Sequence, residues 1–251
     1  MRRARVAWNG TVTEAEPLDD GRLRLPDGTI VGELDVVWLP PVEPGTIIAL
    51  GLNYADHAGE LSFAAPKQPL FFFKGKNTLI GHRGRTVRPD GVNMMHYECE
   101  LAVVIGRPAR RVKAERAYDY IWGYTIANDY AVRDYLENYY RPNFRVKNRD
   151  RATPLGPWVV SHDEIGDPMA LRLRTYVNGA VVQEGYTGDM IFSIPYLLEC
   201  ITEFMTLAPG DVILTGTPKG AVNVQPGDEV ITEIERIGRL INYIVQPKEE
   251  E

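Results

Sequence analysis

The sequence predicts an α+β fold in which strands dominate, on three observations. Many short apolar or alternating segments are separated by Gly, Pro and Asp turns. The best helical period lies at 190–204, where Ile191, Ile194, Leu197, Leu198, Ile201 and Phe204 fall on roughly one face. Asn178-Gly179 sits between two alternating segments and is a strong hairpin signal. With 251 residues, 44% of them hydrophobic, the chain can bury one large domain, or one domain and a small appendage.

Taken in order, residues 1–45 read as a small N-terminal β unit. Asp19-Asp20-Gly21 and Pro26-Asp27-Gly28 mark turns between its brief strands. The run Pro40-Pro41-Val42-Glu43-Pro44-Gly45 sets a boundary before a main domain at 46–247. That domain opens with an apolar strand at 46–51. A polar segment at 53–60 has room for one or two helical turns. Strands follow at 69–74, 97–105 and 118–129. Residues 131–140 read as a helix stopped by Pro142. Segments 171–177 and 180–183 form the hairpin, and 190–204 the main helix. Strands at 211–215 and 229–234 each begin with Pro-Gly-Asp, 239–245 closes the domain, and 248–251 reads as a frayed tail.

The formal net charge is −6, so a nucleic-acid partner is not expected, since phosphate binding needs clustered Lys and Arg. The most basic stretch, 141–151, is broken by Pro142, Asn143 and Phe144 and reads as a loop for small anions. Two cysteines, Cys99 and Cys200, suggest no secreted disulfide framework. The N-terminal stretch lacks a signal-peptide core, and no run approaches the ~18 apolar residues of a membrane span. The expectation is a soluble cytoplasmic protein.

Side chains alternate faces in a strand, so Glu98, Glu100, Ala102 and Val104 share one face of 97–105. Two glutamates then stand ~7 Å apart on a face that turns apolar at once. Repulsion and desolvation both disfavour that arrangement, and a hard divalent cation relieves both. Asp129, at the end of the 118–129 strand, is suited to be the third ligand. The alternatives are that Glu98 and Glu100 form the wet end of an edge strand, and that Asp129 caps the following helix. Cys99 faces the other way and reads as core. His96 reads as a support for the ligands rather than as a ligand.

Several motifs then fall in one order. They are Asn53-Tyr-Ala-Asp-His57-Ala-Gly-Glu60-Leu61, Phe73-Lys74-Gly-Lys-Asn-Thr78, His96-Tyr-Glu98-Cys-Glu100-Leu101, Gly123-Tyr-Thr-Ile-Ala-Asn-Asp129 and Thr215-Gly216-Thr217-Pro-Lys-Gly220. Together they resemble the fumarylacetoacetate hydrolase family over about residues 46–245. Residues 129–143 and Arg145-Val-Lys147-Asn-Arg-Asp150 resemble most the branch of homoprotocatechuate-pathway isomerase/decarboxylases, which act on 2-hydroxyhepta-2,4-diene-1,7-dioate and 5-oxopent-3-ene-1,2,5-tricarboxylate. The resemblance implies a rolled, mixed β-sandwich. It implies Glu98, Glu100 and Asp129 as ligands of Mg²⁺ or Mn²⁺. It also implies a homodimer, because some members carry two tandem copies of the domain and this chain shows one.

The activity implied is decarboxylation and isomerisation of an unsaturated 2-oxo dicarboxylate through a metal-stabilised enolate, in 4-hydroxyphenylacetate breakdown. Alternatives on the same site are C–C hydrolysis of an acylpyruvate and decarboxylation of oxaloacetate. A reading from a different class is a non-enzymatic, Ca²⁺-stabilised β domain. Lys147 is the candidate acid–base group, and most lysines are merely solvated. His57 and Glu60, three apart, would be neighbours on a helical turn and could shuttle a proton. Arg133, four residues after Asp129, would share its helix face and suit a substrate carboxylate, or pair with Asp129 or Glu137. Lys74 could reach the same pocket; its run Lys74-Gly-Lys-Asn-Thr78 lacks the first glycine of a phosphate-binding loop. The bend at Gly216 and Thr217 could offer backbone N–H groups to a substrate oxygen, or simply end a strand.

Overall fold

Two unequal mixed sheets carry most of the chain in the computed structural model, which describes residues 1–60, 66–136 and 143–247. The side chains of His57, Ala58 and Glu60 lie outside the described residues, as do the predicted tail at 248–251 and the end of the predicted 131–140 helix. The large sheet runs, edge to edge, Ile30–Gly32, Arg22–Arg24, Thr11–Pro17, Arg2–Trp8, Thr153–Ser161, Ile121–Asn128, Cys99–Ile105, Val212–Leu214, Ile47–Gly51 and Leu70–Lys74. The smaller runs Ala180–Tyr186, Arg172–Val177, Glu229–Ile234, Gly238–Val245 and Gly84–Val87. Most pairs are antiparallel; Val212–Leu214 with Ile47–Gly51, and Gly238–Val245 with Gly84–Val87, are parallel. The strand-dominated mixed fold predicted from the sequence is therefore present.

Cys99–Ile105 is buried along its whole length, because it lies between two strands and is covered on both faces. Cys99, Leu101, Val103 and Ile105 enter one core with Tyr124, Ile126, Leu173, Ile234, Leu240 and the helical Leu197, Leu198 and Ile201. Ala102 and Val104 enter a second core with Ile47, Ala49, Ala127, Leu155 and Leu214. The alternation read from the sequence is thus real, and Cys99 is core. At roughly 25 cal/mol per Å² of apolar surface buried, this two-sided packing makes the strand a firmly held support for a charged site.

The N-terminal strands have their own small core of Ala4, Val6, Ala15, Leu23, Leu25, Val31 and Trp38. They join the large sheet where Arg2 and Arg3 pair with Val160 and Val159.

Three readings need correction. Residues 131–135 are not helical: Ala131–Val132 pairs with Met95–His96 as a two-stranded ribbon, and Arg133–Tyr135 is a single 3₁₀ turn. Long-range pairing overrides local propensity there. Residues 118–120 end a 3₁₀ helix, Ala114–Tyr120, and the strand begins at Ile121. The main helix spans Ile194–Phe204 rather than starting at 190. The Asn53 side chain takes both the N–H and the carbonyl of Phe192, and the Asn53 carbonyl takes the N–H of Ile191, so that backbone is engaged elsewhere. The strand Thr153–Ser161 escaped prediction because Pro154, Gly156 and Pro157 argue against a central strand. Its ladder with Ile121–Asn128 shifts register between Tyr124 and Ile126, so Pro157 stands where the ladder needs no donor.

Candidate metal centre and its cleft

The sheet register brings the carboxylates together. Glu100 lies opposite Ala127 and Cys99 opposite Asn128, and the next rung is the Asp129 N–H bonding the Glu98 carbonyl at 2.9 Å. Past that rung the two chains continue as the Met95–His96 and Ala131–Val132 ribbon. Glu98, Glu100 and Asp129 each offer an oxygen within 4.8 Å of the others. All three are buried, Glu100 and Asp129 completely. The edge-strand alternative for the glutamates therefore fails, since the strand Cys99–Ile105, which holds Glu100 and which Glu98 immediately precedes, is interior. The cap alternative for Asp129 fails because a ribbon follows it.

Two lysines press on the cluster. Lys147 Nζ is 2.6 Å from Glu98 Oε2 and 2.8 Å from Asp129 Oδ2, and it donates to the Asp129 carbonyl at 3.1 Å. Lys74 Nζ is 2.5 Å from Asp129 Oδ1 and also donates to the Lys147 carbonyl. Burial pulls Lys74 below its usual value, with Asp129 pulling back. Burial pulls Lys147 down as well, but the carboxylates of Asp129 and Glu98 outweigh it and leave Lys147 above its usual value. Burial, then Asp129 and Glu98, pushes Glu100 well above the carboxylate range.

With all three ionised, the carboxylates would exceed the two ammonium groups by one negative charge, and Glu100 is the group that burial and its neighbours push up. Among the described residues, Glu100 Oε1 is buried with no hydrogen-bond partner. Its Oε2 accepts the Gly216 N–H at 2.6 Å. An orphaned carboxylate oxygen within an all-oxygen donor set fits a hard divalent cation.

A cleft of about 590 Å³ opens on this cluster. Glu98, Arg133, Asn143, Lys147 and Thr217 supply its polar lining, with Leu50, Leu70, Phe71, Phe72, Leu136 and Val146 among its apolar walls. Arg133 Nε donates to His96 Nε2 at 2.7 Å. His96 Nδ1 lies 3.0 Å from the Tyr97 carbonyl, and burial holds the imidazole down at about 4. Thr217 Oγ1 accepts from Gln183 Nε2 at 3.1 Å, which leaves its O–H to donate.

The structure thus gathers Glu98, Glu100, Asp129, Lys147, Lys74, Arg133, Gly216 and Thr217 around one place. Two of them do different work from that expected. The Gly216 N–H is committed to Glu100 rather than free for a substrate oxygen. Lys74 is wholly buried behind Asp129 rather than lining the cleft. Arg133 is on a 3₁₀ turn and not on a helix face shared with Asp129. His57 and Glu60 belong to the helix Ala55–Glu60, with side chains outside the described residues. Sequence reasoning missed Asn53, which ties the Thr215 carbonyl to Phe192, and Gln183, which orients Thr217. Asn53 stood within a quoted motif; nothing local marked Gln183.

A fold of two mixed sheets carrying a buried carboxylate cluster that could hold a cation, at a cleft, defines the class. The chain belongs to the fumarylacetoacetate hydrolase family: the family model for the fumarylacetoacetate (FAA) hydrolase C-terminal domain matches residues 46–245. The 4-hydroxyphenylacetate degradation bifunctional isomerase/decarboxylase of Salmonella dublin is 60% identical over 201 residues, covering 80% of this chain and 47% of that protein. The chain spans about half the length of such curated relatives. A 5-carboxymethyl-2-hydroxymuconate delta-isomerase from Mycobacterium smegmatis has a crystal structure with TM-score 0.87 and 39% identity, covering 98% of this chain and 99% of its own. A maleylpyruvate hydrolase from Sphingobium sp. SYK-6, in complex with manganese(II) ion and pyruvate, matches with TM-score 0.84 and 27% identity, covering 98% and 99%.

Proposed function

We propose that this chain is a divalent-metal-dependent isomerase/decarboxylase acting on an unsaturated 2-oxo dicarboxylate in homoprotocatechuate breakdown. The observation that carries the reading is the buried Glu98, Glu100 and Asp129 cluster, with Lys147 against it, at the floor of a cleft that also presents Arg133. Identity to isomerase/decarboxylases over most of the chain selects that chemistry among those the family supports.

When bound, Mg²⁺ or Mn²⁺ would supply Lewis-acid polarisation of the 2-oxo group. The chain's own residues do the rest. Arg133 binds the substrate's far carboxylate through its two Nη groups, which bond nothing among the described residues. Thr217 donates its hydroxyl into the cleft. The walls Leu50, Leu70, Phe71, Phe72, Leu136 and Val146 exclude water, which strengthens each charged contact. Lys147 holds a proton at Nζ at the cleft floor, ready for the carbon that isomerisation or loss of CO₂ leaves electron-rich. His57 and Glu60, on the helix Ala55–Glu60, are assigned a proton-shuttle role.

The protein acts as a homodimer in the cytoplasm. Large apolar side chains on the edge strand Leu70–Lys74, Leu70 and Phe73, are exposed, as is Phe144, and a second copy would cover them. Both cysteines are free, which suits a reducing compartment, and among the described residues no helix is long and apolar enough to cross a membrane.

The test is purified protein with Mg²⁺, offered 5-oxopent-3-ene-1,2,5-tricarboxylate and an acylpyruvate separately. Release of CO₂ from the first supports the reading. Release of a second acid from the acylpyruvate, with no CO₂ from the tricarboxylate, overturns it in favour of a C–C hydrolase; the likeness to the maleylpyruvate hydrolase makes that the second reading.

A further inference from the structure

We propose that His96 is a positioning residue that aims the guanidinium of Arg133 into the cleft and so sets a preference for 2-oxo diacids over 2-oxo monoacids. The inference rests on the reading of Arg133 as the group that binds the far carboxylate.

His96 has no ring nitrogen to spare for a metal ion. Nδ1 donates to the Tyr97 carbonyl at 3.0 Å, which fixes the tautomer and leaves Nε2 as an acceptor. Nε2 takes the Arg133 Nε–H at 2.7 Å. Its nearer carboxylate, Glu98 Oε1, is 3.8 Å from Nδ1, outside hydrogen-bond reach. His96 is buried, so its ring cannot drift. The ribbon locks the two elements together, since His96 pairs with Ala131 and Met95 with Val132.

The turn that carries Arg133 is anchored from behind. The Asp134 carboxylate accepts the Asn93 N–H at 2.8 Å, the Asn93 amide at 2.7 Å and the Met94 N–H at 2.9 Å. The Arg133 N–H donates to the Met94 carbonyl at 2.8 Å. Asp134 therefore faces away from Arg133, and among the described residues Arg133 makes no ion pair.

The chemistry of the partner matters. A carboxylate in the place of His96 would hold the guanidinium equally well but cancel its charge. A neutral acceptor on Nε orders the side chain, leaves the positive charge uncompensated, and leaves the two Nη groups as the paired donors that match a carboxylate. Among the described residues the other cation on the cleft, Lys147, is committed to Glu98 and Asp129. Of these two, Arg133 is thus the cation available for a second substrate carboxylate, and His96 decides where it points.

The experiment compares two six-carbon acids, 2-oxoadipate and 2-oxohexanoate, which differ by the terminal carboxylate. Their binding to Mn²⁺-loaded protein is measured by calorimetry in wild type, Arg133→Met, His96→Leu and His96→Gln. Wild type should favour 2-oxoadipate by about tenfold or more. Arg133→Met should remove that preference. His96→Leu should remove most of it while 2-oxohexanoate and Mn²⁺ still bind within about twofold of wild type. His96→Gln, whose amide oxygen can accept the Nε–H, should restore at least half of the lost preference. The inference is overturned if wild type shows no preference, if His96→Leu keeps it, if that variant weakens both acids equally, or if glutamine restores nothing. No turnover is needed, so a diacid preference without CO₂ release would sink the functional reading and leave this one standing.

Discussion

Two walls of the same cleft are built by different means. The carboxylate wall, Glu98, Glu100 and Asp129, is placed by the ladder of central strands buried on both faces. The cationic wall, Arg133 and Lys147, stands on a 3₁₀ turn and on the short helix Phe144–Lys147, and is held by side-chain hydrogen bonds. Backbone register makes the first wall rigid whatever occupies it. The second keeps its shape only while its partners are present. A metal site needs the former, since ligand geometry tolerates little error. The substrate-binding and proton-transfer roles proposed above fall to the latter.

Variants can break this contrast in order of expected effect. Glu100→Gln removes charge from the rigid wall and should lower turnover by about a thousandfold or more and weaken Mg²⁺ binding severely. Its metal-free melting temperature should hold within about 3 °C, because a buried, half-orphaned carboxylate contributes little to stability. A collapse of folding instead would favour a purely structural ion. Lys147→Met should cost about a hundredfold or more in turnover. It should also lower metal-free stability by about 3 kcal/mol, since Glu98 and Asp129 lose a buried partner. Added Mg²⁺ should recover much of that melting loss, which would mark the ammonium as charge balance rather than packing.

Gly216→Ala tests the support of the rigid wall. Gly216 has φ +91, and an added Cβ would stand 2.8 Å from the Cβ of Asn53. We expect a loss of about 1–3 kcal/mol in a denaturant melt, with weaker metal binding as the N–H to Glu100 is displaced. The effect that is smallest at neutral pH lies outside both walls. Burial lowers the His82 imidazole to about 3, while in the unfolded chain it titrates near 6.5. The unfolded state therefore takes up a proton first as pH falls. The stability tied to neutral His82 is complete above about 6.5 and is lost progressively toward about 3, at up to ~1.4 kcal/mol per pH unit. His82→Asn should flatten part of that acid slope, and it should do so equally in Glu100→Gln and Lys147→Met backgrounds. An unequal response would show that the effects of the walls are not local.

The contrast also explains what the sequence could reveal. Alternation along 97–105 made the two faces, the buried Cys99 and the pair of glutamates legible, because strand geometry projects directly onto residue spacing. The cationic wall was legible only as residue types. Helical periodicity at 131–140 suggested that Asp129 and Arg133 share a face, whereas the chain pairs with Met95–His96, some 35 residues earlier. Lys74 and Gly216 were recognised as belonging to the site, but their work was not, since each acts on a carboxylate of the cluster rather than in the cleft. Asn53, Gln183 and Asp134 act through atoms distant in sequence, and local pattern carries no trace of that.

The antiparallel rung that sets Asp129 across from Glu98 has a bearing on how the sheet is assembled. A slip of one residue between Cys99–Ile105 and its neighbour would turn one strand over relative to the other and separate Glu100 from Asp129. Only the correct alignment gathers three oxygens into one cation site. A divalent ion present during folding would then favour the aligned sheet over its shifted competitors, acting as a proofreader of strand pairing before any substrate arrives.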